Sequence, residues 1–360
     1  AFSGGTGPGT IWDATLSNTD QLFPIIQGHN QGETTTMRFL EGSWSYSAPA
    51  NYISLNTANL AAPTVTDPNA YFGTLTWRGN STDDTVVRDG ETIDGQAVGG
   101  ELKDSAGTRW TPDLAWIKEM TDGSTSWVVA DVVRGVTKNM HLDTNAIEDD
   151  ATRTTEFVAG GIEVGNSNFS NKNDKQHVGY FWKAGGAATT HSVATANVYG
   201  AITSTTTLAV DGNSGTIATG MFVAGSGISG TVTVASLSDQ NNLVLSSAQS
   251  LSNDVALTFS TSAGASVATS VSAADHGGFS IATWTGNGSG GATIGHGLSR
   301  KPAMGIFRRL SLAQDWAVYH DGLDASAPED KYVNLNLTND VQDATWLNDT
   351  APTTSVWTLG

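Results

Sequence analysis

The sequence predicts an all-β, multidomain chain of antiparallel β-sandwich, jelly-roll-like domains: two copies of one repeat and a small inserted β-module. Three observations carry this. Only 14% of the 360 residues are charged, while Gly, Ser and Thr abound. Amphipathic helices draw on Glu, Lys, Leu and Ala, so this composition disfavours them. Apolar and polar residues alternate in short runs closed by Gly, Asn and Asp, as half-buried strands and tight turns require. The chain also repeats itself, since "YFGTLTWRGN" at 71–80 returns as "GGFSIATWTGN" at 277–287.

Further segments follow the Thr-Trp pair in the same order. "TPDLAWIK" (111–118) corresponds to "KPAMGIFR" (301–308), and "STSWVVAD" (124–131) to "AQDWAVYH" (313–320). "KNMHLDT" from Lys138 corresponds to "KYVNLNL" from Lys331, and "GIEVG" ending at Gly165 to "VWTLG" ending at Gly360. Trp77 and Trp284 stand 207 residues apart; the four later pairs stand 190, 189, 193 and 195 apart. Near-constant spacing marks a duplication with small loop changes. The 17-residue surplus falls in the first copy's "STDDTVVRDGETIDGQAVGGELKDSAGTRW", and such insertions cost little in surface connections.

Copy A is therefore placed at 71–190 and copy B at 277–360. In "HVGYFWKAGG", Val178, Tyr180 and Trp182 share one face, and this strand closes copy A. In "YVNLNLT", Val333, Leu335 and Leu337 share a face in the same way. Copy B reaches Gly360 before any counterpart of the closing strand. The expectation is a truncated copy with an open sheet edge, completed by a chain that continues past 360 or by a neighbouring subunit. Between the copies, 200–262 alternates through about five strands, punctuated by "DGN", "GSG", "DQNN" and "SND". Its Ser/Thr/Ala-rich flanks, 187–200 and 261–276, read as linkers.

The net charge of −18 and the 17 scattered basic residues exclude partners that need clustered cations. The largest basic group, Arg300-Lys301 with Arg308-Arg309, is too small to hold nucleic acid or an anionic membrane surface. There is no Cys, hence no disulfide or thiolate chemistry. No apolar run approaches the roughly 20 residues of a spanning helix. The opening "AFSGGTGPGT" has neither a signal-peptide pattern nor an initiator Met, which suggests a processed chain or a fragment.

Motifs with chemical meaning reduce to structural readings. "GNGSGG" (286–291) and "GSGISG" (225–230) fit G-x-G-x-x-G, but neither leads into a helix, so both read as turns. The seven His (29, 141, 177, 191, 276, 296, 320) form no metal pair and no nucleophile elbow. His296, in the Gly-flanked "IGHGLS", is the one with a weak claim to ligand contact. Acidic clusters at 83–84 and 148–150 read as solvated loops, although a Ca²⁺ site is conceivable in "EDD" or "VDGNSG". The five N-x-S/T sequons, at Asn80, Asn168, Asn287, Asn336 and Asn348, are no more than chance supplies in this composition. Trp77, Trp116, Trp127, Trp182, Trp284 and Trp316 are expected in cores; Trp12, Trp44, Trp346 and Trp357 are less constrained. The expectation is no catalytic residue, no cofactor, no metal and no nameable ligand-binding residue.

"NYISLNTANLAAPTVTDPNAYFGTLTWRGN" resembles a junction in long structural proteins of marine bacteriophages, where an extended linker enters a repeated β-domain. "PDLAWIK", "DVVRGV", "FWKAGG", "GGFSIATWTGNG" and "IGHGLSRKPAMGIF" resemble segments of that domain. "LFPIIQGHNQGETTTMRFLEGSWSYSAP" is similar to the closing strands of a concanavalin-A-like or SPRY-like sandwich. The resemblance implies the C-terminal part of a lectin-like sandwich at 1–50 and an extended linker at 51–70. It further implies a non-enzymatic virion component on the particle surface, part of a tail or head fibre, which assembles with itself and other virion proteins. Adhesion to host surface glycan would be a further role, through weak sites made strong by multivalency. The alternatives are a capsid decoration or cement protein, a jelly-roll polysaccharide-degrading enzyme and a bacterial surface adhesin.

Overall fold

In copy A the strand periodicity resolves into two facing sheets. The computed structural model describes residues 65–360 apart from 122, 124, 275 and 276. The sandwich remnant expected at 1–50 and most of the 51–70 linker lie outside these residues. Copy A contains β1 (Phe72–Arg78), β2 (Thr85–Arg88), β3 (Thr92–Ile93), β4 (Gln96–Ala97), β5 (Gly99–Glu101) and β6 (Leu114–Glu119). These are followed by β7 (Val128–Asp131), β8 (Gly135–Met140), β9 (Asp149–Asp150), β10 (Thr154–Val158), β11 (Gly161–Val164) and β12 (Gln176–Trp182).

One sheet runs β5-β1-β12-β6-β7-β8-β9 and the other β10-β11-β2. Their inner faces supply a core of Leu75, Trp77, Ile117, Val128, Ile162, Val164 and Phe181. Each aliphatic side chain fully buried here contributes about 1.5–3 kcal/mol relative to an exposed one. Trp77 also donates its indole N–H to the Ser170 carbonyl at 3.0 Å, in the loop that leads into β12. Thus the last strand of copy A sits centrally, between β1 and β6, because loop 165–175 carries the chain back across the sandwich.

The middle segment holds β13 (Thr189–His191), β14 (Val193–Val198), β15 (Ile202–Ser214), β16 (Phe222–Gly225), β17 (Val232–Asp239), β18 (Asn242–Leu251) and β19 (Ala256–Ser260). Strands β14 to β19 close into a barrel, order β14-β15-β18-β17-β16-β19, around Val198, Leu208, Val210, Val234, Leu245 and Phe259. Closure pairs every strand on both sides and leaves no edge. The composition-based linkers are corrected here: 187–200 carries β13 and β14, and 261–276 carries the next strand, β20 (Thr269–Ala274). The inward residues of β14 are Ala194, Ala196 and Val198. Alanine gives little hydrophobic contrast with Thr or Ser, so the alternation was hard to see.

Copy B continues with β21 (Phe279–Trp284), β22 (Ala292–Gly295), β23 (Met304–Phe307), β24 (Ala317–His320), β25 (Lys331–Asn334), β26 (Gln342–Asp343) and β27 (Val356–Leu359). The expected duplication reappears in the pairing register. Leu114 faces Asp131 as Met304 faces His320, and Val129 faces Met140 as Val318 faces Val333. Val164 faces Thr85 as Leu359 faces Ala292. The ion pair Lys138–Asp150 recurs as Lys331–Asp343. One expected alternation stops early, because β25 ends at Asn334 and leaves Leu335 and Leu337 exposed. The Asn336 carboxamide instead accepts from the Trp316 backbone N–H and donates to Asp315, which turns the chain off the sheet.

The outer faces of the two copies pack on one another. Val178, Tyr180 and Trp182 do share a face, and it is this outer one; the core face of β12 is His177, Gly179 and Phe181. Leu114, Trp116, Trp127, Val129, Met140, Leu142 and Trp182 of copy A meet Phe279, Ile281, Ile306, Leu310 and Trp316 of copy B. Trp182 stacks on Phe279 with centroids 6.2 Å apart, and Trp316 Nε1 donates to the His141 carbonyl at 2.8 Å. Of the Trp expected in cores, Trp77 and Trp316 are buried. Trp116, Trp127 and Trp182 are half-buried between the copies, and Trp284 is half-buried at the core of copy B.

Candidate interaction surface

Charged groups at several turns and strand ends of copy A are committed to the fold. In the tight turn from β7 to β8, Asp131 Oδ1 accepts the backbone N–H groups of Val133 and Arg134, both at 2.9 Å. Its Oδ2 takes Arg134 Nε at 2.6 Å. The same guanidinium reaches Glu148 at 2.8 Å and the Lys138 and Val129 carbonyls. Both partners of the Asp131–Arg134 pair are buried. A buried pair is tolerable only when its remaining donors and acceptors are satisfied in this way.

The acidic run 148–150 is paired with cations residue by residue. Glu148 meets Arg134, Asp149 meets Arg153 in a bidentate pair at 2.5 and 2.8 Å, and Asp150 meets Lys138 at 2.7 Å. Burial pushes the Asp149 carboxyl up, but the Arg153 hydrogen bonds and charge outweigh it and hold the group below the usual range. The Lys138 hydrogen bond lowers Asp150. Each of the three carboxylates has a resident cation, although Arg134 is shared with Asp131. Among the described residues no three His, Asp or Glu converge as a metal site. Asp83, of the other acidic pair, accepts the Asn166 backbone N–H at 2.7 Å.

The histidines are dispersed. His29 and His276 lie outside the described residues. His141 Nδ1 bonds the Trp127 carbonyl at 2.6 Å, and its counterpart Asn334 bonds the Trp316 carbonyl at 3.1 Å. A residue replaceable by Asn in the sister copy is holding backbone there. His177 is fully buried and stacks on Trp77 at 5.5 Å. His296 accepts from the Leu298 N–H through Nδ1 at 3.1 Å, so its proton sits on Nε2, which faces the Thr353 carbonyl at 3.4 Å. Burial pushes both His191 and His296 below the usual imidazole range. His320 is exposed and accepts the Gly322 N–H.

Both G-x-G-x-x-G loops are turns that lead into strands β22 and β17, with left-handed glycines at 288 and 291 and at 227 and 230. A shallow recess of about 290 Å³ is lined by Ala151–Arg153 and Asn166–Phe169. Its cation, Arg153, lies 4.5 Å over Phe169 and is already paired with Asp149. None of these features gathers an acid, a base and a nucleophile.

The surface that stands out is a pair of sheet edges in copy B. In copy A, β12 joins β1 to β6. In copy B the corresponding strands β21 and β23 belong to separate sheets, β13-β20-β21 and β23-β24-β25-β26, and no strand among the described residues pairs with both. Burial follows. Leu75 and Trp77 on β1 are 0% and 1% exposed, whereas every residue of β21 is half-buried. Leu114 on β6 is 8% exposed and its counterpart Met304 on β23 is 51% exposed. Which neighbours the corresponding strands of the two copies take could not be read from the sequence; that required the register of both copies.

The chain belongs to the family described as Domain of unknown function (DUF7483), whose model matches residues 67–262 and again 256–360. The first match takes in copy A and the barrel, the second copy B, in keeping with the repeat. No curated protein and no solved structure matches the chain.

Proposed function

We propose that this member of the DUF7483 family is a non-enzymatic structural protein of a bacteriophage virion, part of a tail or head fibre, which assembles with copies of itself and other virion proteins. The observation that supports this reading is the tandem β-sandwich glued through a continuous aromatic layer. A duplicated sandwich whose copies pack face to face, with a barrel inserted between them in the sequence, suits a rigid particle appendage. The charged clusters that could have served catalysis are spent on turns and strand ends, which supports a building role over a polysaccharide-degrading one. The Trp116, Trp127 and Trp182 rings are engaged between the copies and so are not free to stack on a glycan.

Immunogold electron microscopy of phage particles that carry this gene tests it. Label on tails or projecting fibres is the expected result. Even label over the head would favour the decoration alternative. Particles without label, or reducing-sugar release from host exopolysaccharide by the purified chain, would overturn the proposal.

A further inference from the structure

We propose that His191 and His296 form a proton-operated lock at the stem of the barrel. With both rings neutral, the Gly295–Leu298 turn of copy B clamps the stem. Once they are protonated, the turn lets go and the barrel moves against copy B. The inference does not depend on the virion reading; it rests on how the stem packs on one turn.

The barrel is closed on itself and shares no strand pair with either sandwich copy. The chain enters it through Ser192 and leaves it through Thr261. These two residues are bonded to each other, Ser192 N–H to Thr261 Oγ1 at 2.9 Å and Thr261 N–H to the Ser192 carbonyl at 3.0 Å. The next residues outward, His191 and Ser262, both pack on Gly295. A Cβ at Gly295 would lie 2.8 Å from His191 Nδ1 and 2.5 Å from Ser262 Oγ. A Cβ at Gly297 would lie 2.8 Å from Ala273 Cβ and Val271 Cγ1, and 3.8 Å from His191 Cε1. The His191 imidazole thus sits against both glycines that flank His296. Thr269, its partner on β20, donates through Oγ1 to the Gly295 carbonyl at 3.3 Å. In copy A the position of Gly295 is Arg88, so the glycine meets a need of copy B alone.

Both rings are seated so that only the neutral form fits. His191 Nδ1 is buried and has no hydrogen-bond partner among the described residues. A proton there would bury a charge and an N–H without an acceptor. His296 is 2% exposed. Its Nδ1 already accepts the Leu298 N–H and its Nε2 faces the Thr353 carbonyl, so a second proton would sit head-on against the Leu298 N–H. Towards the two rings β20 presents Val271 and Ala273, the stem Ser262, and the approach to β27 Thr353 and Ser355. None of these titrates or carries charge. No carboxylate offsets the protonated form, and the titratable group that acts on His296 is His191 itself. Two imidazolium charges here would repel.

The rings are therefore neutral while the turn is closed and take up protons readily once it opens. The lock holds above the ordinary imidazole value of 6.5 and loosens as pH falls below it. A ring that titrates at that value only in the open form favours opening by up to about 30-fold at pH 5.0. Beyond the lock, the Ser266 and Val267 N–H groups both donate to the Thr293 carbonyl at 3.0 Å. No titrating group takes part in those bonds, so the stem stays on β22. Opening is a hinge at 191–192 and 261–262, not an unfolding of copy B.

Hydrogen exchange of the 360-residue chain at pH 7.5 and 5.0, corrected for the intrinsic rate, tests the lock. The His296 and Leu298 amides bond the Ser355 carbonyl and His296 Nδ1 and should open roughly tenfold or more readily at pH 5.0. Val234 in the barrel, Gly79 in copy A and Val267 on the stem should keep their protection. His191→Gln/His296→Gln should protect the turn equally at both pH values, and Gly295→Ala should expose it already at pH 7.5. The chain has no Cys, so dyes on Ser238→Cys in the barrel and Ser311→Cys in copy B report movement by energy transfer. That signal should change with pH when both histidines are present and stay constant in the double Gln background. Equal protection of the turn at both pH values would overturn the proposal. So would reference amides that open in step with the turn, a double Gln variant as pH-sensitive as wild type, or a turn still protected in Gly295→Ala. Constant energy transfer with a released turn would overturn the movement of the barrel.

Discussion

Trp316→Ala should break the coupling between the two sandwich copies. The side chain is 4% exposed and lies among Leu114, Val129, Met140 and Leu142, all from copy A. A buried indole covers about 150–250 Å², which at about 25 cal/mol per Å² corresponds to about 4–6 kcal/mol. Partial collapse of the cavity brings the expectation to about 3–5 kcal/mol. The bond from Nε1 to the His141 carbonyl accounts for about 1 kcal/mol of this, so Trp316→Phe should cost only that part plus a little packing. Guanidinium unfolding would be followed both by tryptophan fluorescence and by far-UV circular dichroism. The Ala variant should unfold copy B at lower denaturant than copy A, separating the two signals. A loss below about 1 kcal/mol with coincident transitions would show that the aromatic layer does not hold the copies together.

Arg134→Met should cost about 3–5 kcal/mol in the same unfolding assay, because it leaves Asp131 buried without its cation; the double variant with Asp131→Asn should recover part of the loss. Gly161→Ala should cost about 1–3 kcal/mol by overpacking, since a Cβ there would sit 1.9 Å from the Val87 carbonyl oxygen; a melting temperature within error of wild type would refute it. His191 and His296 have folded pKa values lowered by burial from 6.5. The unfolded chain therefore takes up their protons first, and stability should be flat above about pH 6.5 and fall as pH drops below it. Urea midpoints at pH 7.5 and 5.5 should differ for wild type and less so for the His191→Gln/His296→Gln variant.

Composition, two-residue alternation and internal repetition were enough to establish an all-β chain and to align its copies. Strand sequence depends on local contrast between apolar and polar neighbours, and duplication is visible without folding. Contrast failed where inward residues were small, as in β14, and where a side chain diverted the backbone, as Asn336 does after Asn334. Pairing across the sheet was never local. The sequence could not show that the glycine of one strand pair changes sides between copies, Gly161 facing Arg88 in one and Gly295 facing Val356 in the other. Nor could it show that the acidic run 148–150 is matched by Arg134, Arg153 and Lys138, since cation and carboxylate meet only after the turns close. Above all, the last strand of copy A lies in the middle of its sheet rather than at the margin. Chain order says nothing of strand order, and only the tertiary structure showed that β21 and β23 of copy B lie in separate sheets while β1 and β6 of copy A share one.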